Sequence, residues 1–173
     1  MNLFLRLLWL RLWAGRRPAC PLLGPCTTPF HVLPVDLDVL RHMNNGRYFS
    51  LLDLARVDLM LRSGLFDKLA QKGWYPVVAR ETIEFKTSLR LFQPFSVTTQ
   101  VIGWGHKAIL VQHRFVREGQ LVASAAVWAR MLRRGGGSVS PREVLDLAGY
   151  DGPELPMPAW ALLLDEQAPA WAS

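Results

Sequence analysis

At Gly73 the hydrophobic period of the chain changes, and this change limits the fold more than any other feature. Before it the pattern is helical. Tyr48, Leu51, Leu52, Ala55 and Leu59 fall three or four apart and form one apolar face. Asn44 or Asn45 supplies a cap, because a short side-chain carbonyl satisfies the free N–H groups of a first helical turn. Gly64 suits the left-handed residue that ends helices, and a second short helix runs from Leu65 to Lys72. After Gly73 the period is two. Val77, Ala79, Ile83, Phe85 and Leu89 alternate with Arg80, Thr82, Glu84, Lys86 and Arg90 in a strand from Val77 to Leu91. Further strands run from Phe95 to Trp104, Ala108 to Arg117 and Leu121 to Arg133, with short turns between them. Successive strands on short turns form an antiparallel sheet, and the long helix must bury its apolar face on it. The class is therefore α+β.

The flanks are simpler. Phe30 to Leu33 is a short strand stopped by Pro34, and Ala19 to Pro29 reads as a linker. Ser140-Pro141-Arg142-Glu143 is a capping box opening a helix that Gly149 closes, and Trp160 and Trp171 are possible anchors in the tail. The expected division is 1–29 for an N-terminal helix and linker, 30–134 for one domain, and 135–173 for a C-terminal helix and Pro/Ala-rich tail. Length agrees: 173 residues hold one domain. In residues 1–18 the Leu and Trp are interrupted by Arg6 and Arg11 and closed by Arg16 and Arg17. That run is too short to span a bilayer and has the wrong charge order for a signal peptide. It suits a helix lying in a membrane interface; packing on its own domain or on a partner subunit is the other arrangement. The two cysteines, Cys20 and Cys26, make neither a disulfide framework nor a zinc site, so a reducing, cytoplasmic location is expected, peripheral to a membrane if residues 1–18 bind one. No metal and no cofactor is expected. The net charge of +6 favours anionic partners, but the basic residues are scattered without an aromatic platform, which argues against nucleic acid.

A strand, a long helix and four antiparallel strands is the order of the hotdog fold, in which the sheet wraps around one central helix. The segment Asp36-Leu37-Asp38-Val39-Leu40-Arg41-His42-Met43-Asn44-Asn45-Gly46-Arg47-Tyr48 resembles the signature of the 4-hydroxybenzoyl-CoA thioesterase-like hotdog family. The likeness covers about Phe30 to Arg133. With its basic hydrophobic N-terminus, the whole chain is also similar to the branch that includes thioesterase superfamily member six. The resemblance implies hydrolysis of a fatty or aromatic acyl-CoA thioester, an active site formed between subunits, and a homodimer or dimer of dimers. A non-catalytic acyl-CoA- or lipid-binding hotdog protein is the alternative, and a dehydratase of the same fold is a weaker one.

Thioester hydrolysis needs a base or nucleophile and a site for the oxyanion. Asp38 stands where the family has its loop aspartate. The amides from Met43 to Gly46, at the positive end of the helix, suit the oxyanion, with an Asn44 or Asn45 side chain as a further donor. His42 would orient Asp38 or bond substrate. Asp53 is the candidate if the acid lies on the helix, as in related hotdog enzymes. Arg41 replaces a family glycine and is a candidate for contact with CoA phosphate. Arg80, Lys86 and Arg90 are the strand residues proposed to bind the CoA phosphates, and Tyr48 is a substrate-side candidate. Ordinary structural roles also fit these residues: Asp36 and Asp38 as turn formers, the Asn pair as a cap, Tyr48 as core, Asp53 as the partner of Arg56 or Arg47, and the basic residues as a solvated face.

Overall fold

The structure is a computed structural model and describes residues 2–166; Trp171 lies outside them. Helix α1 (Asn2–Ala14) leads to strand β1 (Cys26–His31), a single 3-10 turn at Pro34–Asp36, helix α2 (Asn45–Arg62) and helix α3 (Leu65–Lys72). Strands β2 (Trp74–Phe85), β3 (Pro94–Trp104), β4 (Ile109–Arg117) and β5 (Gln120–Arg133) follow, then β6 (Ser138–Val139), α4 (Pro141–Ala148) and α5 (Ala159–Glu166). The sheet is antiparallel in the order β1-β3-β4-β5-β2, with β6 paired to β5. It curls around α2, as in a hotdog fold.

Local chemistry explains the helix ends. The Asn44 side chain caps α2 by accepting from the Gly46 amide at 2.8 Å. Ser140 and Glu143 form the reciprocal capping box of α4, and Gly149 closes that helix with φ +78°. Tyr48, Leu51, Leu52, Leu54 and Ala55 of α2 meet Val97, Phe115, Ala123, Ala125 and Val127 of the sheet in the main core. The outer face of the sheet is not simply solvated. Trp128, Leu110, Ala108 and Ala126 are covered there by Met157 and Ala161. Trp160 of α5 stacks edge-on to Trp128 at 5.9 Å, which gives the tail a helix the sequence reading omitted.

Two sequence expectations need correction, and a third point concerns the N-terminal helix. The first strand starts at Cys26, inside the segment read as linker, because Thr28 turns inward and pairs with a buried carboxylate. Next, β2 does not alternate regularly. A register shift between Val78 and Arg80 exchanges its faces. Val78 lies opposite Ala129 and Glu81 opposite Val127, on the inner face, while Arg80 lies opposite Trp128 of the outer face. Finally, α1 packs on α2 through Leu3, Leu7 and the fully buried Leu10. Its outward residues, among them Phe4, Leu5, Leu8, Trp9, Leu12 and Trp13, remain between 45% and 70% exposed. Packing on its own domain, one of the arrangements considered for this segment, is thus what its inner face adopts.

Candidate active site

The loop from Leu37 to Met43 is closed like a small hairpin. Leu37 and Met43 bridge, and the Asp38 amide donates to the His42 carbonyl at 2.9 Å. Asp38 Oδ1 accepts from the Leu40 amide at 2.8 Å and the His42 amide at 3.2 Å. Oδ2 carries no hydrogen bond among the described residues. One oxygen thus shapes the turn while the other stays available. The tie to His42 is through its backbone, so the expected orientation of Asp38 by the imidazole is replaced by an amide contact.

Arg41 has φ +60°, the left-handed region that glycine takes without cost. Arginine therefore holds here a backbone conformation that glycine would take freely. The Arg41 side chain is exposed, and its amide donates to the Asp38 carbonyl at 3.1 Å.

At the start of α2 the amides divide unequally. Met43 N–H donates to Leu89 O at 2.8 Å, Asn44 N–H to Asp36 O at 2.8 Å, and Gly46 N–H to the Asn44 side chain. The Asn45 N–H carries no hydrogen bond among the described residues. The oxyanion site expected from Met43 to Gly46 narrows to that one amide, aided by the helix dipole. The Asn44 side chain caps the helix through Oδ1, and Asn44 is not among the residues that line the cavity beside Asp38.

Asp38, His42, Asn45, Tyr48 and Lys86 line one cavity of about 340 Å³ between the loop, α2 and the end of β2. Lys86 is ion-paired to Glu84 at its rim. Tyr48 is buried between Phe85 (5.0 Å) and Phe115 (5.1 Å). Burial raises its phenol above the usual 10, partly offset by a hydrogen bond with the Leu89 backbone. It is a wall of the cavity anchored in the core. His42 also borders a second polar cavity of about 440 Å³, with Thr87, Ser88, Arg90, Gln93 and Arg117. Arg117 was missed by sequence reasoning, since a residue at the end of β4 gives no sign that it folds beside Arg90. Arg80 faces away from both.

Asp53 is elsewhere. It is ion-paired to Arg56 one helical turn on and borders an apolar cavity of about 290 Å³ between α2 and the opposite end of β2. Val57, Met60, Val78, Val101, Ile109 and Met131 are among its lining. Arg56 reaches under the helix to His113, whose Nε2 lies 3.5 Å away. Because a guanidinium only donates, Nε2 is the acceptor, and Nδ1–H donates to Thr99 Oγ1 at 3.0 Å. Burial and then the Arg56 charge push His113 down to about 3. Glu81, inward on β2, is raised by burial, an effect Arg56 opposes and Asp53 adds to. Its parity with Ile83 and Phe85 was the available signal.

A curled antiparallel sheet around one helix, with a loop carboxylate and a helix-start amide facing one cavity, defines a hotdog protein of the thioesterase type. The chain belongs to the thioesterase-like superfamily, whose sequence profile matches residues 32–158. It is 42% identical over 99 residues to Protein THEM6 of Xenopus laevis, which covers 57% of this chain and 48% of that protein. It is 32% identical over 145 residues to Protein THEM6 of Danio rerio (83% and 70%), and 31% identical over 120 residues to a probable thioesterase of Saccharomyces cerevisiae (67% and 51%). The chain thus spans about half the length of several curated relatives it matches. Among solved structures, a probable thioesterase of Escherichia coli superposes with TM-score 0.65 at 24% identity, covering 70% of this chain and 94% of that one. A 4-hydroxybenzoyl-CoA thioesterase holding 4-hydroxybenzoyl-CoA superposes with TM-score 0.64 at 16% identity, covering 71% and 97%. At such identities these two establish the fold.

Proposed function

We propose that this chain is an acyl-CoA thioesterase that takes fatty acyl chains, with Asp38 as nucleophile or general base. The observation that carries the reading is the shared cavity at the positive end of α2, lined both by Asp38 and by Asn45, whose amide carries no hydrogen bond among the described residues. Asp38 Oδ2 either attacks the thioester carbonyl carbon or removes a proton from a water that does so. The carbonyl oxygen becomes an oxyanion and accepts from Asn45 N–H. The CoA thiolate leaves, and water releases the acid if an anhydride with Asp38 has formed. Arg90 and Arg117, with Lys86 at the rim, offer charge-assisted hydrogen bonds to the CoA phosphates.

The seam between α2 and β2 favours a fatty chain. Its polar end lies at Asn45 and its apolar cavity extends to Met60, about 22 Å along the helix at ~1.5 Å per residue. β2 is an outer strand of the sheet, so a second copy pairing there would complete both sheet and seam as a homodimer or dimer of dimers. The outward face of α1 suits a membrane surface, with Arg16 and Arg17 stacked over Trp13 and Trp9. No described helix is long and apolar enough to cross a membrane.

The test is release of free CoA from acyl-CoAs of graded chain length by wild type, Asp38→Ala and Asp53→Ala. Wild type is expected to turn over the longer chains, Asp38→Ala to lose at least about a hundredfold in kcat, the scale of a missing general base, and Asp53→Ala to keep activity. Loss in Asp53→Ala with retention in Asp38→Ala moves the base to the helix. No turnover on any chain, with tight acyl-CoA binding, makes the protein a binding module.

A further inference from the structure

The buried carboxylate two residues before Asp38 is held from outside the domain. Asp36 is 1% exposed and sits at the base of the active-site loop. Its carboxylate accepts from the Leu33 amide at 2.9 Å, at the end of β1. Its carbonyl accepts from the Asn44 amide, at the cap of α2. A strong contact comes from α1. Arg6 donates to Oδ2 at 2.5 Å and to Oδ1 at 3.4 Å, and its guanidinium also donates to the His31 carbonyl at 3.0 Å. Arg47 stands farther off, at 4.0 Å. One guanidinium thus ties α1, the end of β1 and the first residue of the loop together.

We propose that Arg6 is a positioning residue for the active site, and that α1 is part of the scaffold of the Asp38 loop as well as an attachment arm. A buried carboxylate that loses a charge-assisted contact is costlier to keep buried, so loss of Arg6 draws Asp36 toward water. That movement pulls on the Asn44 amide and on the closed turn carrying Asp38. Held in place, Asp36 keeps Asp38 Oδ1 on its two amides and Oδ2 toward the cavity. Pre-organisation of this kind matters because small misplacements of a reacting group are expensive in rate.

A second clasp supplies the control. Arg17, also in the N-terminal segment, is ion-paired to the buried Asp58, one turn before the end of α2. Asp58 is additionally held by Arg62 at 3.3 Å and by the Thr28 hydroxyl at 2.7 Å, and it touches no residue of the loop. Arg17→Gln therefore loosens the same arm without touching Asp36.

The catalytic side of this proposal rests on the thioesterase reading, but the positioning side does not, so both are measured. Native-state amide hydrogen exchange on the full chain is expected to rise about tenfold or more at Leu33, Leu40, His42 and Asn44 in Arg6→Gln, the scale of one lost charge-assisted hydrogen bond. In Arg17→Gln these amides are expected to keep wild-type rates, and Arg6→Lys is expected to recover part of the protection. With acyl-CoA, Arg6→Gln is expected to lower kcat with KM little changed, and Arg17→Gln to leave kcat unchanged. Wild-type exchange at the four amides in Arg6→Gln overturns the proposal, as does an equal rise in Arg17→Gln. If wild type shows no turnover, the thioesterase reading fails, and the exchange data still decide whether Arg6 positions the loop.

Discussion

Arg41 shows how a side chain and a backbone conformation separate. A non-glycine residue at φ +60° carries roughly 1–2 kcal/mol of local strain. Arg41→Gly removes it but adds freedom to the unfolded chain worth roughly 0.5–1 kcal/mol. Stability by urea denaturation is therefore expected to change by less than about 1 kcal/mol, whereas the β-branched Arg41→Val is expected to cost more. Equal losses in both would mean that the guanidinium matters and the torsion does not. His113 gives a pH signature. Its imidazole stays neutral in the fold down to about pH 3, while in the unfolded chain it takes up a proton near its ordinary 6.5. Its contribution is complete above about pH 6.5 and is lost progressively as pH falls toward 3. Between pH 7 and 5, where ordinary carboxylates remain ionised, the urea midpoint is expected to fall in wild type and to fall less in His113→Gln. Identical slopes would remove His113 as the cause. The place of Asp38 in the loop before α2 was legible from the motif, and the Asn44 cap from local spacing. The contacts of Asp36 with Arg6 and of His113 with Arg56 were not, since each joins distant elements.

Helix α1 reverses the usual arrangement of its residue types. Arg6 and the following Arg17 turn inward to buried carboxylates, while Phe4, Trp9, Leu12 and Trp13 turn out. Removing residues 1–18 would take away the close cation Arg6 from Asp36 and one cation from Asp58, and would uncover the core surface that Leu10 covers. Breaking a buried ion pair typically costs ~3–5 kcal/mol, so truncation tests folding before it tests attachment. The cleaner variant is Trp9→Ser with Trp13→Ser. It is expected to keep the melting temperature near that of wild type and to weaken binding to vesicles containing anionic lipid in a flotation assay. Unchanged flotation would refute the membrane role of this face. Helices α2, α3 and α4 were read to within a few residues because their periods, caps and terminal glycines are local signals. The faces of β2 were not, because its bulge is defined by pairing with β5.

At the scale of the molecule, a twelve-residue outer strand beside an incompletely closed apolar seam predicts self-association. Light scattering at micromolar concentration is expected to give twice or four times the chain mass, and a monomer there would overturn the paired-edge reading. By itself the sequence determined the class and order of the elements, since helical and strand periods, caps and tight turns act over a few residues. The motif from Asp36 to Tyr48 marked where chemistry is to be sought. Only the tertiary structure decided which amide at the start of α2 remains open, that Arg117 joins Arg90, that Arg56 meets His113, and that an arginine thirty residues upstream secures Asp36. Those outcomes depend on burial and on pairing between distant segments, which contact in the folded chain alone creates.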